Sequence, residues 1–261
     1  MNLTARTFIT SALATGLATT GTAAIAAEDE WSFEVAPLYL WAKNVEGHTT
    51  AGSQTLPLEL DFKDEILENL DAAFSLHAEA NKGDWTFFIE TNYAKLDPSN
   101  SATVGPVEVK ADIDFKDYMY EGGMAWRFAN SGTSTWELYG GLRYVKQDVT
   151  IKIDNSAPIQ ILPEKVKVGD SWMHPFAGVR YTARMGEKWR LRVRGDYGYE
   201  GSDNTAIQGL ATVGYSFTDL TAAFIGYRYV DLDYANSSRG LDGYGFEGDQ
   251  QGPVIGVNFS F

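Results

Sequence analysis

The stretch Trp189-Arg190-Leu191-Arg192-Val193-Arg194-Gly195-Asp196-Tyr197 alternates without a break. Trp189, Leu191, Val193 and Tyr197 fall on one parity, and Arg190, Arg192, Arg194 and Asp196 on the other. Period two belongs to an extended strand with two unlike faces. The same signature recurs along the chain. Trp31, Phe33, Val35, Pro37, Tyr39 and Trp41 share one parity, as do Trp85, Phe87, Ile89 and Tyr93. Ile207, Ala211, Val213, Tyr215 and Phe217 form another apolar set, and Ile255, Val257, Phe259 and Phe261 close the chain with a last one.

Amphipathic strands in this number fit either a soluble sandwich or a membrane barrel, and three features favour the barrel. Several runs reach 11–14 residues, beyond the usual five or six of soluble strands and matching a tilted membrane strand. Aromatics mark strand ends, as interfacial girdles do. The second parity carries Arg, Glu and Gly at mid-strand, which suits a polar lumen. Short connections at 81–84, 130–134, 185–188 and 218–219 alternate with long ones at 43–71, 97–110, 154–169, 199–204 and 234–250. Short turns on the periplasmic side and long loops outside are the asymmetry of outer-membrane barrels. The sequence therefore predicts an all-β, closed antiparallel transmembrane β-barrel of ten strands. Thr55–Phe62 also alternates and reads as a β extension within the first loop; were it to cross the membrane, the count becomes eight or twelve.

Composition fits this division. The 261 residues include 21 Lys+Arg against 35 Asp+Glu, a net charge of −14, and no cysteine. Mean hydropathy is only −0.24 although 44% of residues are hydrophobic and 13% aromatic. A lipid-facing half and a polar half per strand give that average. So acidic a chain repels a nucleic-acid backbone, so no nucleic-acid partner is expected. Three histidines and no cysteine offer no transition-metal set, and no cofactor or metal site is expected. Residues 1–26 read as a secretory signal, with Arg6, an apolar stretch from Phe8 to Ala18, and Ala24-Ile25-Ala26 before Glu28. Residues 27–261 then form one barrel domain.

The ending Gly256-Val257-Asn258-Phe259-Ser260-Phe261 resembles the closing strand of Gram-negative outer-membrane barrels, and Gly226-Tyr227-Arg228-Tyr229 is similar to the penultimate strand of the small OmpA-like and OmpW-like barrels. The resemblance implies a place in the outer membrane and cell envelope. It makes Phe259 and Phe261 part of the signal read by the barrel-assembly machinery. It implies little about activity, because this fold hosts porins, adhesins, hydrolases and anchors. No OmpA-type peptidoglycan-binding segment is recognised after the barrel, so no tether to the cell wall is expected.

With aromatics toward lipid, the lumen receives Glu34, Glu79, Glu90, Glu121 and Glu137, with Arg127 and Arg143, from the first strands. The later strands contribute Arg180, Arg184, Arg190, Arg192, Arg194 and Arg228, with Asp196. One wall is mostly acidic and the other mostly basic. Buried charges must be paired or solvated, so the walls either interlock as a plug or face each other across water as in a porin-like constriction. The narrow interior of a ten-strand barrel favours the plug. Ser75, His77 and Glu79 share the inward face of one strand, but neighbours on one face lie about 6.5–7 Å apart, too far for a nucleophile–base pair. The expectation is a structural or surface-interaction barrel without catalysis. A narrow solute channel is the alternative, and a lipid hydrolase the third reading.

The first loop carries seven acids, from Glu46 to Asp71, and Asp64–Leu70 suggests a short amphipathic helical turn that packs at the rim. Outer-membrane lipids and lipopolysaccharide are the expected surroundings. Acidic loops beside that anionic surface call for bridging Mg²⁺ or Ca²⁺, although the chain has no EF-hand or repeat-type calcium motif.

Overall fold

The structure is a computed structural model and describes residues 30–261 apart from 52–53, 64–67, 98, 105–106, 156–164, 237 and 239–242. The segment read as a signal, most of the suggested turn at 64–70 and the middle of the 154–169 connection lie outside the described residues.

The described strands are β1 (Ser32–Trp41), β2 (Asn44–Ala51), β3 (Gln54–Leu60), β4 (Leu70–Lys82), β5 (Trp85–Leu96), β6 (Ser99–Val104), β7 (Val107–Asn130), β8 (Ser134–Asn155), β9 (Lys165–Met185), β10 (Trp189–Tyr199), β11 (Asn204–Ser216), β12 (Thr221–Ala235) and β13 (Tyr244–Ser260). Ten of them pair antiparallel in the order β1-β4-β5-β7-β8-β9-β10-β11-β12-β13, and β13 returns to β1 through Glu34↔Ser260 and Leu40↔Ile255. The sheet is a closed ten-strand barrel. β2 continues the line of β1 along β13, from Asn44↔Gln251 to Ala51↔Tyr244, and β3 folds back on it. β3, the alternating segment within the first long connection, thus extends the wall and does not cross it. β6 likewise folds back on the start of β7.

The strands run well into the connections that the sequence marks as long. β7, β8 and β9 have 24, 22 and 21 residues, about twice what a tilted membrane strand needs. The surplus stands beyond the bilayer as a sheet at the long-strand end. The barrel wall between the girdles is apolar outside: Leu38, Phe87, Ile89, Leu138, Ile207 and Ile225 are all exposed large hydrophobics. Trp31, Trp85, Trp126, Trp136 and Trp189 ring the short-turn end, and Tyr120, Tyr197, Tyr199 and Tyr227 the other. From Trp189 to Tyr199, ten residues at ~3.3 Å each give about 33 Å along the strand, which at a tilt of about 40° is roughly 25 Å of height, that of a membrane barrel's apolar band.

One part of the parity expected from sequence is reversed. Along β1, Val35 pairs with Phe259 and Leu38 with Val257, so Ala36 and Pro37 together oppose Asn258. Two residues against one make a β-bulge, placed where Pro37 has no N–H to give to the ladder. Beyond it the faces exchange. Leu38 and Leu40 point to lipid, while Tyr39 is buried in the lumen at 3% exposure and Trp41 packs against the interior.

Candidate functional site

The inward side chains form layers. Nearest the short turns lies a vestibule of about 320 Å³ lined by Glu34, Asn81, Arg127, Thr135, Arg184 and Arg190, among others. Arg184 is exposed there, and Arg127 stands 3.8 Å from Asp84.

Above it the two charged walls meet. Arg190 donates to Glu34 at 2.6 Å, and Arg192 reaches both Glu34 and Glu79. Arg180 bridges Glu79 at 2.6 Å and Glu137 at 2.7 Å. Deeper still, Arg194 faces Glu90 and Glu121, and Arg143 joins Glu121 to Asp196 at 2.8 Å each. Arg228 donates to Glu90 and, at 2.9 Å, to Glu121. Six guanidinium groups thus meet six carboxylates in one continuous network. The acids come from β1, β4, β5, β7, β8 and β10, the arginines from β8, β9, β10 and β12, so its bonds run across the barrel. His77 sits between Glu79 and Glu90, with one ring nitrogen 3.0 Å from each. Neutral partners complete the satisfaction that a buried charge demands. Gln208 accepts from Arg228 at 2.6 Å, and Tyr139 donates to Asp196 at 2.7 Å. Arg143 also lies 4.8 Å over the Phe176 ring.

Packing around the network is tight enough to require glycine. A Cβ on Gly198 would stand 2.3 Å from the His174 ring, and one on Gly123 would meet the Gly140 carbonyl at 2.2 Å. His174 is fully buried, with Nδ1 3.2 Å from Asn204 Oδ1.

Toward the long-strand end the lumen turns apolar. Lys43 pairs with Asp117 and donates to Gln250 at 2.8 Å. Beyond them Val45, Leu96, Val145, Trp172, Leu232 and Phe246 form a buried cluster, and Leu58, Leu60 and Phe62 of the β3 segment pack against it. A cleft of about 570 Å³ opens above this layer, with Asp114, Asp148, Lys167, Asp170 and Tyr244 in its lining. There Tyr234 donates to Asp170 at 2.9 Å. Burial and that carboxylate push the Tyr234 phenol up to about 12.

Of the residues singled out from sequence, Glu34, Glu79, Glu90, Glu121, Glu137, Arg143, Arg180, Arg190, Arg192, Arg194, Asp196 and Arg228 lie in the network, and Arg127 and Arg184 at its short-turn mouth. Phe259 and Phe261 lie at the end of β13, Phe261 exposed. Sequence reasoning missed Lys43–Asp117, the glutamines 147, 208 and 250, and Tyr39 and Trp41. Asp117 and Gln147 had a signal, since they share parity with the charged set on their own strands, and Gln208 shares the polar parity of Thr212 and Ser216 on β11. Ser75 donates to Asn92 at 3.1 Å, and His77 is held by the two glutamates. Ser75 and His77 are therefore not brought together as a nucleophile and base.

No family model matches the chain, and no curated protein matches it. Among solved structures, the outer membrane protease OmpT from Escherichia coli matches with a TM-score of 0.58 at 9% identity, over 90% of this chain and 98% of that one. The translocator domain of the autotransporter NalP from Neisseria meningitidis follows at a TM-score of 0.49 and 14% identity, over 91% of each chain. The attachment invasion locus protein Ail of Yersinia pestis aligns at 0.38 and 12% identity, over 89% of this chain and 99% of that one. With the closed sheet and the apolar outer wall, the likeness to OmpT defines the class: this is an integral β-barrel of the outer-membrane type. It also corrects the expectation of a barrel without catalysis. The same fold carries a protease, so the fold does not support a non-enzymatic assignment.

Proposed function

We propose that the chain is an exported outer-membrane barrel with a closed lumen, whose structural and surface-interaction role is carried by its outer wall and its long-strand sheet. The observation that carries this reading is the stacking of two barriers. The ion-pair network spans the bore from Glu34 to Asp196, and the apolar layer of Trp172, Leu232 and Phe246 seals it beyond Lys43–Asp117. An ion crossing the barrel must break charge-assisted hydrogen bonds and then enter a dry layer. The porin-like alternative requires a continuous water path through both barriers.

In this reading the short-turn end faces the periplasm, and the signal at residues 1–26 directs export. The assembly machinery reads Phe259 and Phe261. The long-strand sheet stands among lipopolysaccharide headgroups, where its acidic rows meet divalent counter-ions. The network's contribution is mainly to register, since buried ion pairs add little net stability against apolar packing. Proteoliposome swelling tests the reading. Vesicles carrying the folded protein should fail to swell in isosmotic small sugars and amino acids, as protein-free vesicles do, and size-dependent swelling would refute a closed lumen.

A further inference from the structure

The ten-strand wall is not equally closed all the way up. β4 pairs with β5 along its whole length, from Lys82↔Trp85 to Leu70↔Leu96. β1 pairs with β13 as far as Trp41↔Val254. Between β1 and β4, however, pairing stops at Ala36↔His77. The five residues of β1 past that point leave about 16 Å of wall, at ~3.3 Å per residue, without a ladder to the next strand. The cause lies in the bulge at Ala36-Pro37, which redirects β1 toward β13. Exposure records the gap: Ala72, Ala73 and Phe74 are all exposed in succession, where a strand paired on both sides would alternate.

The seam leads into a cavity of about 330 Å³, within the range of ligand sites. Leu40, Trp41, Phe62, Leu70, Ala73 and Ile255 give it an apolar lining. Leu40 and Ile255 are lipid-facing residues, exposed at 53% and 56%, so the mouth opens sideways into the bilayer, while Lys43, Asn92 and Asp117 on the lumen side form its inner end. It reaches from Leu40 and Ile255 in the apolar band up to the tyrosine girdle, since Tyr93, which lines it, pairs with Tyr118 next to Tyr120 on β7. The floor is polar but already satisfied. Ser75 donates to Asn92, Asn92 donates to Glu90 at 3.2 Å, and Lys43 is paired with Asp117. No free charge in that floor asks for an ionic ligand.

We infer that the seam between β1 and β4 is a lateral port that takes one acyl chain of a membrane lipid into the barrel wall. Hydrocarbon is the medium at the mouth beside Leu40 and Ile255, and an apolar cavity open to it gains free energy when a chain fills it. The strand-edge amides along the seam give the mouth a polar margin in an apolar wall, which suits the ester group at the head of such a chain. The inference is independent of the closed lumen. Solute permeation reads the bore, whereas the port is read from the membrane side.

Fluorescence quenching by lipid provides the test. The seven tryptophans include Trp41 in the port and Trp172 buried in the apolar layer. Two variants, each retaining one of these two and carrying Phe at the other positions, are folded into phosphatidylcholine vesicles with brominated acyl chains. Trp41 should be quenched several-fold more strongly than Trp172, and Ala94→Phe, which narrows the port, should remove most of the difference. Equal, weak quenching of both would overturn the port. Should the tryptophan replacements block assembly, Ala73→Cys in the otherwise unchanged, cysteine-free chain serves instead. A membrane-soluble alkyl maleimide should label it and a charged, water-soluble maleimide should not; the opposite pattern would refute the inference.

Discussion

Arg228 on β12 is wholly buried and donates across the lumen to Glu121 on β7, 2.9 Å away and 107 residues earlier in the chain. Its second nitrogen is bound to Glu90 on β5, and its plane lies 4.6 Å from the Trp41 ring. One side chain therefore ties two strands of the far wall, and β1 beyond β13, to its own. Removing it leaves two buried carboxylates short of a cation. Arg228→Met should lower stability by about 3–5 kcal/mol, measured by urea unfolding in micelles. Adding Glu90→Gln should recover part of the loss, because the uncompensated charge goes with it; strict additivity would show that the two groups do not act together.

The contact between Gly198 and His174 supplies a second test. A methyl group at Gly198 would press into the imidazole at 2.3 Å, and overpacking of this kind costs about 1–3 kcal/mol. Gly198→Ala should lower the unfolding midpoint, and His174→Ala in the same chain should make the alanine at 198 nearly harmless. An unchanged midpoint for the single variant would mean that the wall yields there.

On the long-strand sheet, Asp231, Asp249, Glu46 and Glu59 lie in one row across β12, β13, β2 and β3. Burial and Asp231 raise the carboxyl of Asp249, and burial with Glu247 raises that of Asp233. A carboxyl raised on folding opposes the fold once ionised, and the cost vanishes as pH falls through its folded value to below the unfolded one, ~3.9. Asp249→Asn should therefore raise the thermal midpoint at neutral pH, by the equivalent of about 0.5 kcal/mol for one like-charge pair. The gain should disappear below the ordinary aspartate range. A benefit that persists in acid would point away from charge repulsion.

Trp172 stacks on Tyr234 with ring centroids 4.2 Å apart and planes 5° from parallel, and the phenol donates to Asp170. Tyr234→Phe removes only the hydrogen bond, costing roughly 1 kcal/mol, whereas Tyr234→Ala also loses the stack and should cost clearly more. Near-ultraviolet dichroism would separate the two, since Phe keeps the packed indole and Ala does not.

The barrel was legible because alternation survives in nearly every strand: Trp189 to Tyr197 shows its lipid and lumen faces without any knowledge of the partners. Strand number was legible too, since β3 carries Glu46↔Glu59 outside the ring and shares no pairing with β4. What the sequence hid is cooperative. Nothing local to Tyr39 says that it turns inward; the bulge at Ala36-Pro37 does so, and Pro37 was its only mark. Lys43 read as a loop residue because its acceptor, Asp117, lies 74 residues away. The parity of Glu121 and Arg228 was readable, but the bonds joining them depend on the shear that brings the two walls level.

Planar-bilayer recording bears most directly on the central claim, that network and apolar layer together close the bore. Folded wild-type protein in concentrated potassium chloride should show no reproducible unit conductance, and a variant combining Trp172→Ala, Phe246→Ala and Arg228→Ala should show discrete openings if it folds. Regular single-channel steps from the wild-type barrel would contradict the account.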